Sequence, residues 1–215
     1  MFIALEGPDC AGKTTQAEKL VNRLRAFAGC EVLPITCPTG SPAGHAARAC
    51  LKQGIDWKSI FNDPLLPETL IQSAMIADRY GVVGAIQECI RCGGVVVADR
   101  WKQSGEIYGA VDGLDVDWIT ASQSSLPDPD LNILLDLNVE EISSRLKSRG
   151  AAPEMYENID FQRQVAKRYH DAWLPKMHDH PSSWKIVDAK QSIHSIHEQI
   201  LKMVAYRYRG LIEPF

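Results

Sequence analysis

Directly after an apolar run, Phe2 to Leu5, the chain reads Gly7-Pro8-Asp9-Cys10-Ala11-Gly12-Lys13-Thr14, and apolar positions at helical spacing follow at Ala17, Leu20, Val21 and Leu24. This is a complete G-x-x-x-x-G-K-[ST] pattern in the strand, loop, helix setting that a phosphate-binding loop requires. The glycines let the backbone fold tightly enough for successive N–H groups to converge on phosphate oxygens at a helix N-terminus. Lys13 adds a point charge at the β and γ phosphates, and Thr14 supplies a hydroxyl for Mg²⁺. The stretch from Gly7 through Thr15 is therefore the candidate cradle for a nucleoside triphosphate.

The alternation continues. A β-branched run at Val32 to Ile35 predicts a second strand that breaks at Pro38, and Thr39 to Gly44 reads as loop. Pro67 and Glu68 open one long helical pattern through Ile71, Met75, Val82, Ile86 and Ile90, which stops at Gly93-Gly94. Val95 to Ala98 and Leu131 to Leu135 are all-apolar runs of the kind buried on both faces of a parallel sheet. Asn138 with Glu141 predicts a cap for the next helix. A helix from about Asp160 is expected to end near Pro175, Trp184 to Val187 forms a fifth strand, and Ile193, Ile196, Ile200 and Met203 mark a last helix. Strands alternating with helices predict an α/β fold with a parallel sheet and right-handed crossovers. The 215 residues, 45% of them hydrophobic, suffice for one well-buried domain spanning 1–215.

Composition narrows the partners. The 23 Lys+Arg against 27 Asp+Glu give a net charge of −4, which argues against bulk nucleic acid or an anionic membrane as the main partner. No apolar stretch approaches the roughly 20 residues of a spanning helix, and the N-terminus lacks a basic n-region, so a cytoplasmic chain is expected. Six cysteines are read as reduced thiols, because a chain with this much core needs no disulfide staples. Cys89 and Cys92 form a lone C-x-x-C without the second pair that a zinc tetrahedron needs, and His178 and His180 read as solvated surface.

A triphosphate site serves a switch, a motor or a transferase. A GTPase switch needs an N-K-x-D guanine reader, and that tetrapeptide does not occur. A motor ATPase usually ends its second core strand in Asp-Glu, whereas Val95 to Ala98 ends in Asp99-Arg100. A carboxylate there can hold Mg²⁺ through water, and the adjacent arginine suits the phosphate of an acceptor.

With those residues in place, the chain resembles the thymidylate kinase family over nearly its whole length. Phe2 through Gly7 and Gly12 through Gln16 are similar to the family's opening, and Asp99-Arg100-Trp101 with Ser104-Gly105 and Tyr108-Gly109-Ala110 is similar to its Asp-Arg-aromatic signature. Leu126-Pro127-Asp128-Pro129-Asp130-Leu131, Tyr156-Glu157-Asn158 with Phe161-Gln162, and Val187-Asp188-Ala189 resemble later blocks. The resemblance implies a three-layer P-loop NTPase fold with a five-stranded parallel sheet and a short lid at about 147–158. It implies an ATP:dTMP phosphotransferase using Mg²⁺, working as a homodimer. Arg100 would bind the acceptor phosphate, Asp99 would help organise Mg²⁺, and Asp9 would meet the acceptor's sugar or phosphate. Arg79 would face the base, Tyr108 would pack on the deoxyribose, Ser104 and Gly105 would line the base pocket, and Tyr156 and Gln162 would close over the substrate. Another reading makes Tyr108 and Tyr156 ordinary packing and pairs Arg79 with a carboxylate on its own helix. Arg145, Lys147 and Arg149 precede a Gly150-Ala151-Ala152-Pro153 loop, and Arg149 is the candidate lid cation, with Arg145 assigned to ATP.

Three departures bear on the acceptor. Met75 stands where the family has an aromatic ring over the base, Thr36-Cys37-Pro38 lacks the arginine common before that proline, and Cys10 leaves the phosphate loop without an arginine. Arg48 is a candidate substitute for the second of these. Two alternatives follow: a kinase for another or modified deoxypyrimidine monophosphate, such as dUMP or 5-hydroxymethyl-dUMP, and a nucleotide-binding regulator without phosphotransfer.

Overall fold

Five short segments, Phe2–Glu6 (β1), Val32–Thr36 (β2), Val95–Asp99 (β3), Leu131–Asp136 (β4) and Trp184–Asp188 (β5), pair in parallel in the order β2-β3-β1-β4-β5. The computed structural model describes residues 1–27, 29–52, 66–149, 156 and 158–207, and nothing is stated of the side chains of Phe27, Lys52 and Arg149. The three interior strands, β3, β1 and β4, carry no exposed residue, as their apolar runs require. Pro34 sits inside β2, which the order places at a sheet edge, where a residue without an N–H is tolerated.

Helices cover both faces. Ile3, Leu5, Val97, Ile133 and Leu135 point to one side, where they pack with Leu20 and Leu24 of α1 (Lys13–Phe27), Ile142 of α7 (Val139–Arg149) and Ile196 and Ile200 of α9 (Ile193–Arg207). Phe2, Ala4, Val96 and Ala98 point to the other side, against Ile86 of α4 (Val83–Arg91) and the Trp101 ring. On that same side Leu134 meets Tyr108 of α5 (Lys102–Val111) and Tyr169 and Trp173 of α8 (Ile159–Asp179). Two further helices, α2 (Pro42–Lys52) and α3 (Leu66–Gly81), pack on each other, and α6 (Val116–Ser122) packs on α5. Among the described residues no helix is long and apolar enough to cross a membrane.

The helix boundaries correct the sequence reading in four places. The stretch expected as loop from Thr39 to Gly44 enters α2 at Pro42, because Ser41 caps the Gly44 N–H at 3.0 Å and proline is well placed at the first helical position. The single helix expected from Pro67 to Ile90 is two: Val82 N–H bonds back to Arg79 rather than one residue further, and the chain tightens at Gly81-Val82 before α4 starts. Helix α8 continues past Pro175 to Asp179, held by Trp173 Nε1 on the Lys185 carbonyl at 2.9 Å and by Lys176 Nζ 4.4 Å from the centre of the Trp184 ring. Helix α5 was not legible, since glycines at 105 and 109 lower helix propensity and are used here for close packing, and neither was the seven-residue α6. The Asn138 cap is present, with its Oδ1 accepting from Glu141 N at 3.1 Å.

Candidate active site

The chain turns immediately after β1. Gly7 takes φ +144°, which side-chain-bearing residues rarely adopt, and a Cβ there would lie 2.5 Å from the Leu135 carbonyl oxygen. Cys10 (φ 61°) and Gly12 (φ 89°) are also left-handed, and the wound loop delivers Lys13 to the first turn of α1. Lys13 is buried and its ammonium donates to the Pro8 carbonyl at 2.6 Å. Burial, and after it the Arg100 charge, lowers the Lys13 pKa from 10.5 to about 8. Ala11 is buried behind the loop, and Arg145 braces it, donating to the Cys10 carbonyl at 3.0 Å and to the Ala189 carbonyl at 2.8 Å.

Thr14 Oγ1 donates to Asp99 Oδ2 at 2.5 Å, so the start of α1 and the end of β3 bring a hydroxyl and a carboxylate together. Hard oxygen donors of this kind are what Mg²⁺ takes alongside water and phosphate oxygens. In front of them lies a cavity of about 430 Å³, bordered by Gly12, Lys13, Thr14, Thr15, Asp99 and Arg100, with Arg48 also at its wall.

Arg100 follows β3 in a left-handed conformation, φ 71°, with its N–H on the Leu5 carbonyl at 3.0 Å. That turn aims the guanidinium at the phosphate loop. It donates to the Gly7 carbonyl at 3.1 Å, to Ser104 Oγ at 3.3 Å and to the Tyr108 hydroxyl at 3.2 Å, and it forms an ion pair with Asp9. The Tyr108 hydroxyl donates to the same Asp9 carboxylate at 3.1 Å. Burial pushes the Tyr108 pKa up, so the phenol keeps its proton and stays a donor. From α8, Gln162 clamps both sides of this group: its Nε2 donates to Asp9 Oδ2 at 2.7 Å and to the Tyr156 carbonyl at 2.8 Å, and its Oε1 accepts from Asp9 N at 2.9 Å. Tyr156 stacks on Phe161 with centroids 4.8 Å apart and donates to Asp112 at 2.6 Å.

A second cavity, about 130 Å³, opens on the other side of Arg100. Met75 and Arg79 from α3, Ser104, Gly105 and Tyr108 from α5, and Tyr156 line it, so the structure brings together nearly all the residues expected to meet an acceptor. Asp9, Cys37 and Arg100 border both cavities and form the partition between them. Burial pushes the Cys37 thiol up to about 12, which keeps it protonated and unreactive at this junction. Arg79 does not pair with a carboxylate of its own helix; it donates to Gln123 Oε1 at 2.8 Å. The Arg149 side chain and residues 150–155 and 157, the core of the expected lid, lie outside the described residues.

Sequence reasoning missed Glu6, Gln123 and Gln72, the last of which also lines the second cavity. Glu6 is fully buried, and its carboxylate accepts from Trp101 N at 2.8 Å, Ser104 Oγ at 2.5 Å and the Tyr169 hydroxyl at 2.8 Å. A signal for it existed: an acidic residue closing an all-apolar strand, immediately before Gly7, must be satisfied by the structure around it. Gln72 and Gln123 had none, because a lone glutamine on a helix reads as surface.

Comparison with known proteins follows the same outline. A family model described as thymidylate kinase matches residues 5–200. A probable thymidylate kinase of Pyrococcus horikoshii is 36% identical over 98% of both chains. The human thymidylate kinase is 33% identical over 93% of this chain and 87% of its own. A solved structure of thymidylate kinase from Candida albicans superposes with a TM-score of 0.77 at 25% identity, covering 95% of this chain and 91% of that one. With the phosphate loop, the Asp99-Arg100 turn and the paired cavities in the same chain, these matches show that it belongs to the thymidylate kinase family.

Proposed function

We propose that this chain transfers the γ-phosphoryl group of ATP to the phosphate of dTMP, giving dTDP and ADP, and that residues 1–215 form one catalytic unit. The observation that carries the reading is the partition: a phosphate-loop cavity and an acceptor cavity share Asp9 and Arg100 as a common wall. A phosphoryl group passing between two bound nucleotides must cross there.

Phosphoryl transfer asks for alignment and charge compensation, because the transition state spreads negative charge over the equatorial oxygens. Loop N–H groups and Lys13 hold the donor phosphates, and Arg100 holds the acceptor phosphate. Thr14 and Asp99 would hold Mg²⁺, which would supply charge neutralisation to the donor phosphates. No side-chain nucleophile is required, since the acceptor phosphate is already an anion. Arg79 faces the base beside Met75, Ser104 and Gly105 line the pocket, and Tyr108 packs on the deoxyribose, where a 2′-hydroxyl would crowd the ring. Tyr156 and Gln162 close over the substrate, and Arg149 is the candidate cation for the transferring phosphoryl group. We extend the proposal to a cytoplasmic homodimer, which sedimentation velocity tests directly.

Met75 favours a second reading within the same chemistry. A thioether at the base offers polarisable surface without the shape demand of a stacked ring, which fits a dUMP or 5-hydroxymethyl-dUMP acceptor. Purified protein with Mg²⁺-ATP against dTMP, dUMP, dCMP, UMP and 5-hydroxymethyl-dUMP, reading ADP and each diphosphate, decides between them. Highest kcat/KM with dTMP supports the first reading, a modified or different base supports the second, and no transfer refutes both.

A further inference from the structure

On the face of α3 that borders the acceptor cavity, Gln72 stands one turn before Met75 and two turns before Arg79, so the three side chains follow one another along the wall. Gln72 is 2% exposed and its Oε1 has no hydrogen-bond partner among the described residues. A buried amide oxygen left unpaired is costly, and at the wall of the acceptor cavity a bound molecule can supply the missing donor. Its position is fixed by α5: a Cβ at Gly109 would lie 3.4 Å from Gln72 Cδ, and one turn earlier a Cβ at Gly105 would lie 3.0 Å from Arg79 Nη1. The amide and the guanidinium therefore rest against successive turns of one helix face, whose Cβ positions lie about 5–6 Å apart. Arg79 is itself 3% exposed, tied to Gln123 through Nη1, and its Nε has no partner among the described residues.

A buried donor and a buried acceptor side by side are complementary to the edge of a 2,4-dioxopyrimidine, which offers O4 as acceptor and N3–H as donor. A 4-aminopyrimidine inverts both, setting an amino group against the guanidinium and a lone pair against the amide oxygen. We propose that Gln72 is a base-selecting residue, its Oε1 accepting N3–H of the acceptor base while Arg79 faces O4. Met75 supplies apolar contact to either kind of base, so the discrimination between them is shared by Arg79 and Gln72, and Gln72 carries the part that reads N3. The inference rests on the functional reading above and names the residue that enforces it.

The test is kcat/KM for dTMP and for dCMP, with Mg²⁺-ATP, in the unaltered protein and in Gln72→Leu, which keeps the volume and removes the amide. The dTMP/dCMP ratio is expected to fall about tenfold or more. A ratio that does not move, whether both values fall together or neither changes, overturns the assignment. If Gln72→Leu does not fold, N3-methyl-dTMP with the unaltered protein answers the same question. It is expected to be used about tenfold or more less efficiently than dTMP, and equal use overturns the assignment. An unaltered protein that makes no dTDP overturns the functional reading and this inference with it, a result seen before any variant is made.

Discussion

Arg100 and Asp9 pair across the mouth of the phosphate loop, one from the turn after β3 and the other from the loop after β1. Each is thereby held where the two cavities meet. Replacing Arg100 by alanine removes the guanidinium that touches Gly7, Asp9, Ser104 and Tyr108 together. Transfer to dTMP is expected to fall by about 10³ or more, the scale of arginine contributions to phosphoryl transfer. Binding of a non-hydrolysable ATP analogue, measured by calorimetry, is expected to persist. Near-normal turnover in that variant would remove Arg100 from the chemistry.

Lys13 gives the site a pH limit. Its pKa, lowered to about 8 by burial and by Arg100, leaves it charged at neutral pH and neutral above. kcat/KM for ATP is therefore expected to fall as pH rises through 8, approaching about tenfold per unit. Bound triphosphate stabilises the ammonium, so kcat at saturating ATP keeps its plateau to higher pH. In the unfolded chain the lysine holds its proton up to its ordinary value of 10.5. Between about 8 and 10.5 the unfolded state thus binds more protons, and this group makes the ligand-free protein more stable as pH rises. A flat kcat/KM profile from pH 7 to 9.5 would show that Lys13 keeps its proton throughout.

Met75 offers a graded test of the base pocket. An aromatic ring at this position adds stacking of about 0.5–1.5 kcal/mol, which is roughly a twofold to tenfold lower KM for dTMP in Met75→Phe. Steady-state kinetics on dTMP and dUMP read it. An unchanged order and unchanged KM values would place the base away from this side chain.

Glu6 is a stability test. Glu6→Ala strands the Trp101 N–H and the Ser104 and Tyr169 hydroxyls in the core, at a cost of about 3 kcal/mol or more. A chain of this size then loses about 6–12 °C in Tm, readable by scanning calorimetry. A shift under 2 °C would mean that the three donors find other partners.

The strands and the phosphate loop were legible because their signals are local: unbroken apolar runs, and glycines at fixed offsets before Lys13. The Asp99-Arg100 turn was legible from its place at a strand end. What stayed hidden depends on partners remote in sequence. Glu6 is satisfied by residues 95 to 163 positions away, and Gln123 matters only because α6 brings it to Arg79. The break at Gly81-Val82 escaped because the apolar periodicity runs straight through it, while the backbone does not. Proline misled in both directions: Pro42 begins a helix and Pro175 fails to end one, since packing around Trp173 outweighs one lost hydrogen bond.

The left-handed backbone at Arg100 sets thermal robustness against turnover. With φ 71°, any residue with a Cβ is held there at about 1–2 kcal/mol above what glycine needs. Between two variants that both lack the guanidinium, Arg100→Gly is therefore expected to melt a few degrees above Arg100→Ala, by about 2–4 °C per kcal/mol. In the unaltered chain the strained turn is offset by what the guanidinium gains there, an ion pair with Asp9 and hydrogen bonds to Gly7, Ser104 and Tyr108, so backbone ease and side-chain contacts pull this position in opposite directions.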